Sequence, residues 1–317
     1  MGFTICGEFI MLEITTKIRC SCMCEYCPQK LLMGKYITDD LRKSKKKKEY
    51  MIFTLENFKK CIETVPENID LHFTGYSEPF DNPIADEMIL YAHQKGHKIL
   101  VNTTLVGLTK EKFDKLKHIE FKMFNIHCPS ETFKENIGVD TPVSYLPSGQ
   151  RKLSKQWKDL LTYIVGQGIK NQYMHCHGGL HPEVKELLNP KIREEYSLGI
   201  TRGVNDRAQA FSEQDGGDEI LKVKVPPEKN IRGKCSRIYQ PVLLPDGRLA
   251  LCCQDYGLKH TPGNLLKQSW KEYRESIEFK NIEKDGADLC DYCVRGGPSA
   301  NANEFKEALE NAKKGVI

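Results

Sequence analysis

The sequence lacks a long hydrophobic run. No apolar stretch approaches the roughly 18 residues a membrane-spanning helix needs, and mean hydropathy is −0.50. It lacks the marks of an export signal, because the segment Met1 to Met11 is short, carries Glu8 and has no basic leading part. It has little net charge, +4 over 317 residues, so bulk charge gives no argument for nucleic acid. No internal repeat and no low-complexity tract is present apart from one lysine run. These absences argue against a membrane partner and predict a cytoplasmic protein. With 39% hydrophobic and 28% charged residues, the chain has the material for a core and is unlike a disordered one. Its length predicts one large domain, or one large and one small.

What is abundant is cysteine, with thirteen in the chain. Without an export signal a disulfide framework is disfavoured, and cysteines in a reducing compartment serve metal binding or catalysis. Cys20, Cys22, Cys24 and Cys27 cluster early. Cys235, Cys252, Cys253, Cys290 and Cys293 gather in the last third, while Cys6, Cys61, Cys128 and Cys176 stand singly.

The pattern between these groups alternates. Residues 8–15, with Phe9, Met11, Leu12 and Ile14, read as a buried strand leading into the first cysteines. Arg42, Lys43 and Lys45 to Lys48 read as an exposed, solvated loop, the alternative being a contact with an acidic substrate or RNA backbone. Leu55, Phe58, Ile62 and Val65 fall on one helical face behind a Thr54 cap. Strands are expected at 70–74, 97–102, 119–127 and 169–177, and helices at 84–95, 109–117, 154–165 and 181–188. Repeated strand–helix units predict a parallel sheet with helices outside and chemistry at the carboxyl ends of the strands. Residues 205–230 read as a connector. A hairpin follows, Val242 to Leu244 and Arg248 to Cys252 around a Pro245-Asp246-Gly247 turn. A helix is then expected over 269–280, with a Ser269/Glu272 capping box and Trp270, Tyr273 and Ile277 on one face.

Cys20, Cys24 and Cys27 stand in CxxxCxxC spacing with Tyr26 before the last. Three thiolates on one short loop can hold three corners of a cubane iron–sulfur cluster and leave one iron open. A zinc site would need a fourth ligand, for which Cys22 is the nearby candidate, although CxCxC crowding makes tetrahedral closure awkward. Cys20-Ser-Cys-Met-Cys24-Glu-Tyr26-Cys27 resembles the signature of the radical S-adenosylmethionine (SAM) enzymes. The resemblance implies a [4Fe-4S] cluster on Cys20, Cys24 and Cys27, with Cys22 no ligand. It also implies S-adenosylmethionine on the open iron, cleaved to a 5′-deoxyadenosyl radical that abstracts hydrogen from the substrate.

Thr74-Gly75-Tyr76-Ser77-Glu78-Pro79, after the strand at 70–74, resembles that family's GGEP element in a variant form, with Ser77 for the second glycine. By itself such a segment is an ordinary turn. The resemblance implies that Gly75, Tyr76, Ser77 and Glu78 bind S-adenosylmethionine through the loop backbone, Glu78 ordering the turn. Asn102 and Asn125, at the ends of the third and fourth strands, match positions that face the cofactor in relatives, though either can be a strand-end cap. His175 and His177 end the fifth strand and are candidates for substrate-facing acid–base groups, with plain structural hydrogen bonding as the alternative.

The second cysteine group suits zinc and iron–sulfur equally on spacing alone. The run Gly247 to Asp255, Gly263-Asn-Leu265, Ser269 to Tyr273 and Cys290-Asp-Tyr-Cys293 resembles the SPASM extension of radical SAM enzymes in its short, twitch-like form. This implies one auxiliary [4Fe-4S] cluster on Cys235, on Cys252 or Cys253, and on Cys290 and Cys293. The Gly-x4-Cys spacing favours Cys252, and neighbouring strand residues point to opposite faces.

The expected fold is therefore α/β, a partial (β/α)6-type parallel barrel with a small C-terminal hairpin-plus-helix cluster domain. The expected domains are a core over 8–215, an extension over 228–297 and a helical tail over 298–317. The expected function is a radical SAM oxidoreductase with two [4Fe-4S] clusters and a small-molecule or peptide substrate. Its reductant would be a flavodoxin or ferredoxin. The alternative is a zinc-stabilised, cysteine-rich nucleic-acid-binding module without catalysis, which leaves the strand–helix repeat without a role.

Overall fold

The computed structural model describes residues 10–38, 43, 50–188, 198–201 and 235–293. Six strands alternate with helices: β1 (Met11–Ile14), β2 (Asp70–Phe73), β3 (Ile99–Thr103), β4 (Met123–His127), β5 (Gln172–His177) and β6 (Leu198–Thr201). All pair in parallel in sequential order. The helices are α1 (Gln29–Tyr36), α2 (Leu55–Ile62), α3 (Ala85–Gln94), α4 (Lys110–Leu116), α5 (Lys155–Val165) and α6 (Pro182–Leu187). Short parallel strands require crossovers, and these helices supply them. The expected parallel α/β architecture is thus the observed one.

Polar residues start these helices where the sequence places them. Thr54, Thr109 and Ser154 accept hydrogen bonds from the backbone amides of Asn57, Lys112 and Trp157, each satisfying one otherwise orphaned donor. On α5, Trp157, Leu160, Leu161 and Ile164 are buried, as their spacing predicts. Alternation sorts the two faces of β4 and β5. Phe124 and Ile126 are fully buried against the helices, and Phe124 meets Phe113 of α4 edge to face. Asn125, His127, Tyr173, His175 and His177 are half-buried on the other, inner face.

The C-terminal hairpin joins this sheet. β7 (Val242–Leu243) pairs in parallel with β1, and β8 (Arg248–Ala250) and β9 (Gly263–Asn264) follow in antiparallel. The result is one nine-stranded sheet in the order β6-β5-β4-β3-β2-β1-β7-β8-β9. The hairpin turn needs Gly247 at φ 82°, and Arg248 N donates to Asp246 Oδ1 at 3.2 Å.

Four sequence readings are corrected. β4 begins at Met123 and β5 at Gln172, later than expected, because Ile119 and Phe121 close turns and Asn171 sits at φ 56°. β8 ends at Ala250, so Cys252 lies in the turn beyond it. The last helix is two, α7 (Trp270–Glu275) and α8 (Ile277–Asp285), split at Ser276. Ser276 is extended and its side chain accepts from Phe279 N, which restarts the helix and turns Phe279 into the core. Ile277 is consequently 65% exposed and does not continue the Trp270–Tyr273 face. The Ser269/Glu272 capping box is present. Lys43, the one residue of the basic run among those described, is exposed and helical. Arg42, Lys45 to Lys48, the connector 205–230 and the tail 298–317 lie outside the described residues. No described helix is long and apolar enough to cross a membrane.

Phe124→Ala should destabilise the fold by about 3–5 kcal/mol, read as a lower urea midpoint, because its ring touches both Phe113 and Phe121.

Candidate functional site

After β1 the chain passes Thr15 and Thr16 into the cysteine loop, which bends at Arg19 (φ 77°) and Met23 (φ 44°). Ser21 anchors the loop, its N and Oγ donating to the Asp81 carboxylate at 2.6 and 2.5 Å. Gln29, the first residue of α1, ties the loop's ends. Its Oε1 accepts from Cys20 N at 3.3 Å, and its Nε2 donates to Cys27 Sγ at 3.4 Å and to Tyr76 O at 2.5 Å. Cys20 Sγ in turn accepts from Glu78 N at 3.3 Å.

Cys20, Cys24 and Cys27 form no disulfide and are half-buried. Burial and then the nearby charge of Glu135 push the Cys24 thiol up, with Cys27 and Cys20 contributing in the same direction. Cys22 differs. It is buried, with Sγ 3.3 Å from Thr104 Oγ1, and the adjacent Cys20 and then burial raise its thiol. The donor set that remains is three sulfurs on one loop, which fits a cubane cluster with one iron left open.

The Gly75–Pro79 segment sits directly beside these thiols. Gly75 adopts φ +66°, and a Cβ there would overlap the Thr15 hydroxyl. That hydroxyl accepts from Tyr76 N at 3.0 Å. The Tyr76 ring points away from the loop into the core, where its hydroxyl donates to Cys252 O at 2.7 Å and Asp255 O at 3.1 Å. Ser77 Oγ is buried and has no hydrogen-bond partner among the described residues. Glu78 is buried, and its carboxylate accepts from Thr103 Oγ1 (2.7 Å), Thr104 N (2.6 Å), Thr104 Oγ1 (2.7 Å) and Phe80 N (3.1 Å). Burial pushes its pKa up to about 7, against those hydrogen bonds. Glu78 therefore braces the loop against the end of β3 and has its oxygens engaged within the protein.

Asn102 and Asn125 are register partners, and Asn125 Nδ2 donates to Asn102 Oδ1 at 2.9 Å. Further along the inner face lie His127, His175 and His177. Burial pushes His175 down to about 4. Tyr26 closes this end of the site: its hydroxyl donates to Glu135 Oε2 at 2.5 Å and lies 3.0 Å from His127 Nε2.

The second cysteine group forms where the turn after β8 meets the two short 3-10 helices Ser236–Tyr239 and Asp288–Tyr292. Cys252 is buried, and its thiol is pushed up by burial and then by the charge of Cys253, with Asp255 and Cys293 adding to the effect. Cys290 is pushed up to about 11 by burial, with Cys235 and Cys293 adding to the effect. Cys253 Sγ accepts from Arg237 Nη1 at 3.3 Å, and the same guanidinium feels the charges of Cys252 and Cys235. Cys235, Cys252, Cys253, Cys290 and Cys293 are thus gathered in one region, and four such thiols would suit a closed four-thiolate site. Gln29, Tyr256, Arg237, Thr15 and Glu135 are not legible in the sequence as site residues. Gln29 alone carries a signal there, as a polar residue two places after Cys27. Tyr256, Arg237 and Glu135 arrive from distant segments, Tyr256 OH lying 3.5 Å from Cys27 Sγ.

Tyr76→Phe should lower the thermal midpoint by the equivalent of about 0.5–1.5 kcal/mol, because two buried carbonyls lose their shared donor but keep the backbone amides of Asp255 and Leu258. Differential scanning fluorimetry, compared with the exposed-site control Tyr145→Phe, checks this.

No protein-family model and no curated protein matches the sequence. Solved structures do match. BtrN in complex with AdoMet and 2-DOIA aligns with TM-score 0.54 at 14% identity, over 92% of this chain and 96% of that one. Streptococcus suis SuiB bound to precursor peptide SuiA aligns with TM-score 0.54 at 10% identity, over 92% of this chain and 72% of that one. Native anSMEcpe with bound AdoMet aligns with TM-score 0.50 at 15% identity, over 96% of this chain and 97% of that one. The chain therefore has the partial-barrel fold of the radical SAM enzymes.

Proposed function

We propose that the protein is a radical S-adenosylmethionine enzyme that oxidises a small molecule or peptide and carries an auxiliary iron–sulfur cluster. One observation carries this reading: Cys20, Cys24 and Cys27 are half-buried, with Cys20 Sγ accepting from Glu78 N, while Cys22 is buried with its Sγ 3.3 Å from Thr104 Oγ1. When bound, the cluster and S-adenosylmethionine supply one-electron cleavage of a sulfonium to a 5′-deoxyadenosyl radical that abstracts hydrogen.

The chain's own residues prepare for that chemistry. Cys20, Cys24 and Cys27 would hold the cluster, and Gln29 keeps the first and last of them in register with Tyr76. The turn at Gly75 brings the loop backbone close to the cysteines, and Glu78 holds it rigid. Ser77 Oγ, buried without a partner among the described residues, is a polar atom suited to a ligand. The Asn102–Asn125 pair extends that polar surface along the inner face. The inner face then offers half-buried polar groups for a substrate and shields them from bulk water.

The neighbours support the substrate range. The structures of BtrN and of SuiB carry 2-DOIA and a precursor peptide respectively. Cys235, Cys252, Cys290 and Cys293 would hold the auxiliary cluster, whose closed thiolate shell suits electron transfer and hence a net oxidation. A flavodoxin or ferredoxin would be the reductant.

Cys20→Ala, Cys24→Ala and Cys27→Ala should each abolish 5′-deoxyadenosine formation with dithionite, and Cys22→Ala should retain it. Cleavage surviving in any of the first three, or lost in the fourth, would overturn the ligand set. Cys290→Ala should lower iron by about half while cleavage remains measurable. Unchanged iron would remove the auxiliary cluster from the reading.

A further inference from the structure

The histidines of the inner face converge in a way that the cysteine groups do not explain. His127 ends β4 and is the register partner of His175 on β5, and His177 lies two residues on, on the same face. One potential ligand nitrogen from each lies within 4.8 Å of the others. Ring centroids are 4.4 Å (His127–His175), 5.1 Å (His127–His177) and 5.9 Å (His175–His177) apart. A metal about 2.0–2.1 Å from each of three imidazole nitrogens, at tetrahedral angles, places ring centroids about 5 Å apart. The three centroid spacings bracket that value.

The surroundings prepare at least two of the rings as ligands. Tyr26 OH gives its proton to Glu135 Oε2, so the Tyr26 oxygen accepts from His127 Nε2. That puts the His127 proton on Nε2 and leaves a lone pair on Nδ1. Glu135 is itself held by Ser130 N at 2.5 Å. A carboxylate acting through an intermediary to set the tautomer and angle of a histidine is the outer-shell arrangement of metal-bound imidazoles. His175 Nδ1 is buried and has no hydrogen-bond partner among the described residues.

We propose that His127, His175 and His177 bind a divalent transition-metal ion of the zinc class, separate from both cysteine groups. Three neutral imidazoles favour such an ion over magnesium or calcium, which take oxygen ligands. A three-histidine site leaves a fourth position open, as zinc sites that act on substrates do. The open position accepts a water, or an oxygen or nitrogen of a substrate bound in the barrel mouth. Tyr26 and Glu135 are positioning residues for this site. Tyr26 also stands between Cys24 and Cys27 in sequence, so one side chain orders the histidines next to the cysteine loop.

The test uses the full chain, reconstituted with iron and sulfide, loaded with zinc and freed of excess metal by gel filtration. Zinc and iron are counted, and the zinc X-ray absorption edge reads its ligands. The expected wild type keeps one zinc per chain bound by nitrogen or oxygen only, at about 2.0–2.1 Å. His127→Ala and His175→Ala should each lower the zinc count by one and leave iron unchanged, retained iron also reporting an intact fold. Tyr26→Phe should keep the site but weaken zinc about 10- to 100-fold. Equal zinc in wild type and both histidine variants would overturn the proposal, as would zinc held only by sulfur at about 2.3 Å. If the cysteines hold zinc and no iron, the radical enzyme reading fails, yet the loss of one zinc in the histidine variants still decides this site.

Discussion

The hydroxyl of Tyr76 joins segments that are 176 residues apart, donating to the carbonyls of Cys252 and Asp255 from inside the core. Around it pack Ile18, Leu32, Tyr36, Val242, Leu244, Ala250 and Tyr256. That one apolar cluster draws on the cysteine loop, on α1, on the hairpin and on the turn carrying Cys252. Because interiors are close-packed, a shift in any one of these segments is felt by the others. Gly75 makes the arrangement possible, since its left-handed conformation lets Tyr76 point inward while the loop backbone stays near Cys20 and Cys27. The parallel pairing of β7 with β1 secures the same junction through the backbone.

The sheet divides its labour by face. Phe124, Ile126, Met174 and Cys176 pack outward against helices, while Glu13, His72, Asn102, Asn125 and the three histidines occupy the inner face. Parallel strands in register place all their carboxyl ends at one mouth. Residues at the same register on neighbouring strands therefore meet there, as Asn102 meets Asn125 and His127 meets His175. Buried polar groups carry a desolvation penalty that native structures tolerate where partners or ligands offset it. Glu78 shows the fully partnered case, with four donors on one carboxylate. Ser77 and His175 show the other case, with buried polar atoms that have no hydrogen-bond partner among the described residues.

Local rules make much of the fold readable. Caps at Thr54, Ser154 and Ser269 are side chain-to-backbone bonds within one helical turn, so spacing reveals them. Alternation in β4 and β5 likewise reports their half-buried setting. The break at Ser276 is hidden because Ser269 to Lys280 carries one continuous helical pattern. There Ser276 caps a second helix and Phe279 packs against Tyr273, with centroids 5.1 Å apart. The late start of β5 has the same origin, since Asn171 spends its side chain on Phe121 O in the preceding strand connection.

What the sequence by itself determined was the spacing of Cys20, Cys24 and Cys27, the strand–helix alternation, and hence the end of the sheet at which polar residues collect. Those properties depend on neighbours along the chain. The tertiary structure decided that Cys22 turns to Thr104, that Cys253 turns to Arg237, and that Tyr76 spans to Cys252. It also decided that three histidines from two strands meet beside Tyr26. Each of these depends on contacts between residues tens to hundreds of positions apart, which strand register and core packing select and one-dimensional spacing does not encode.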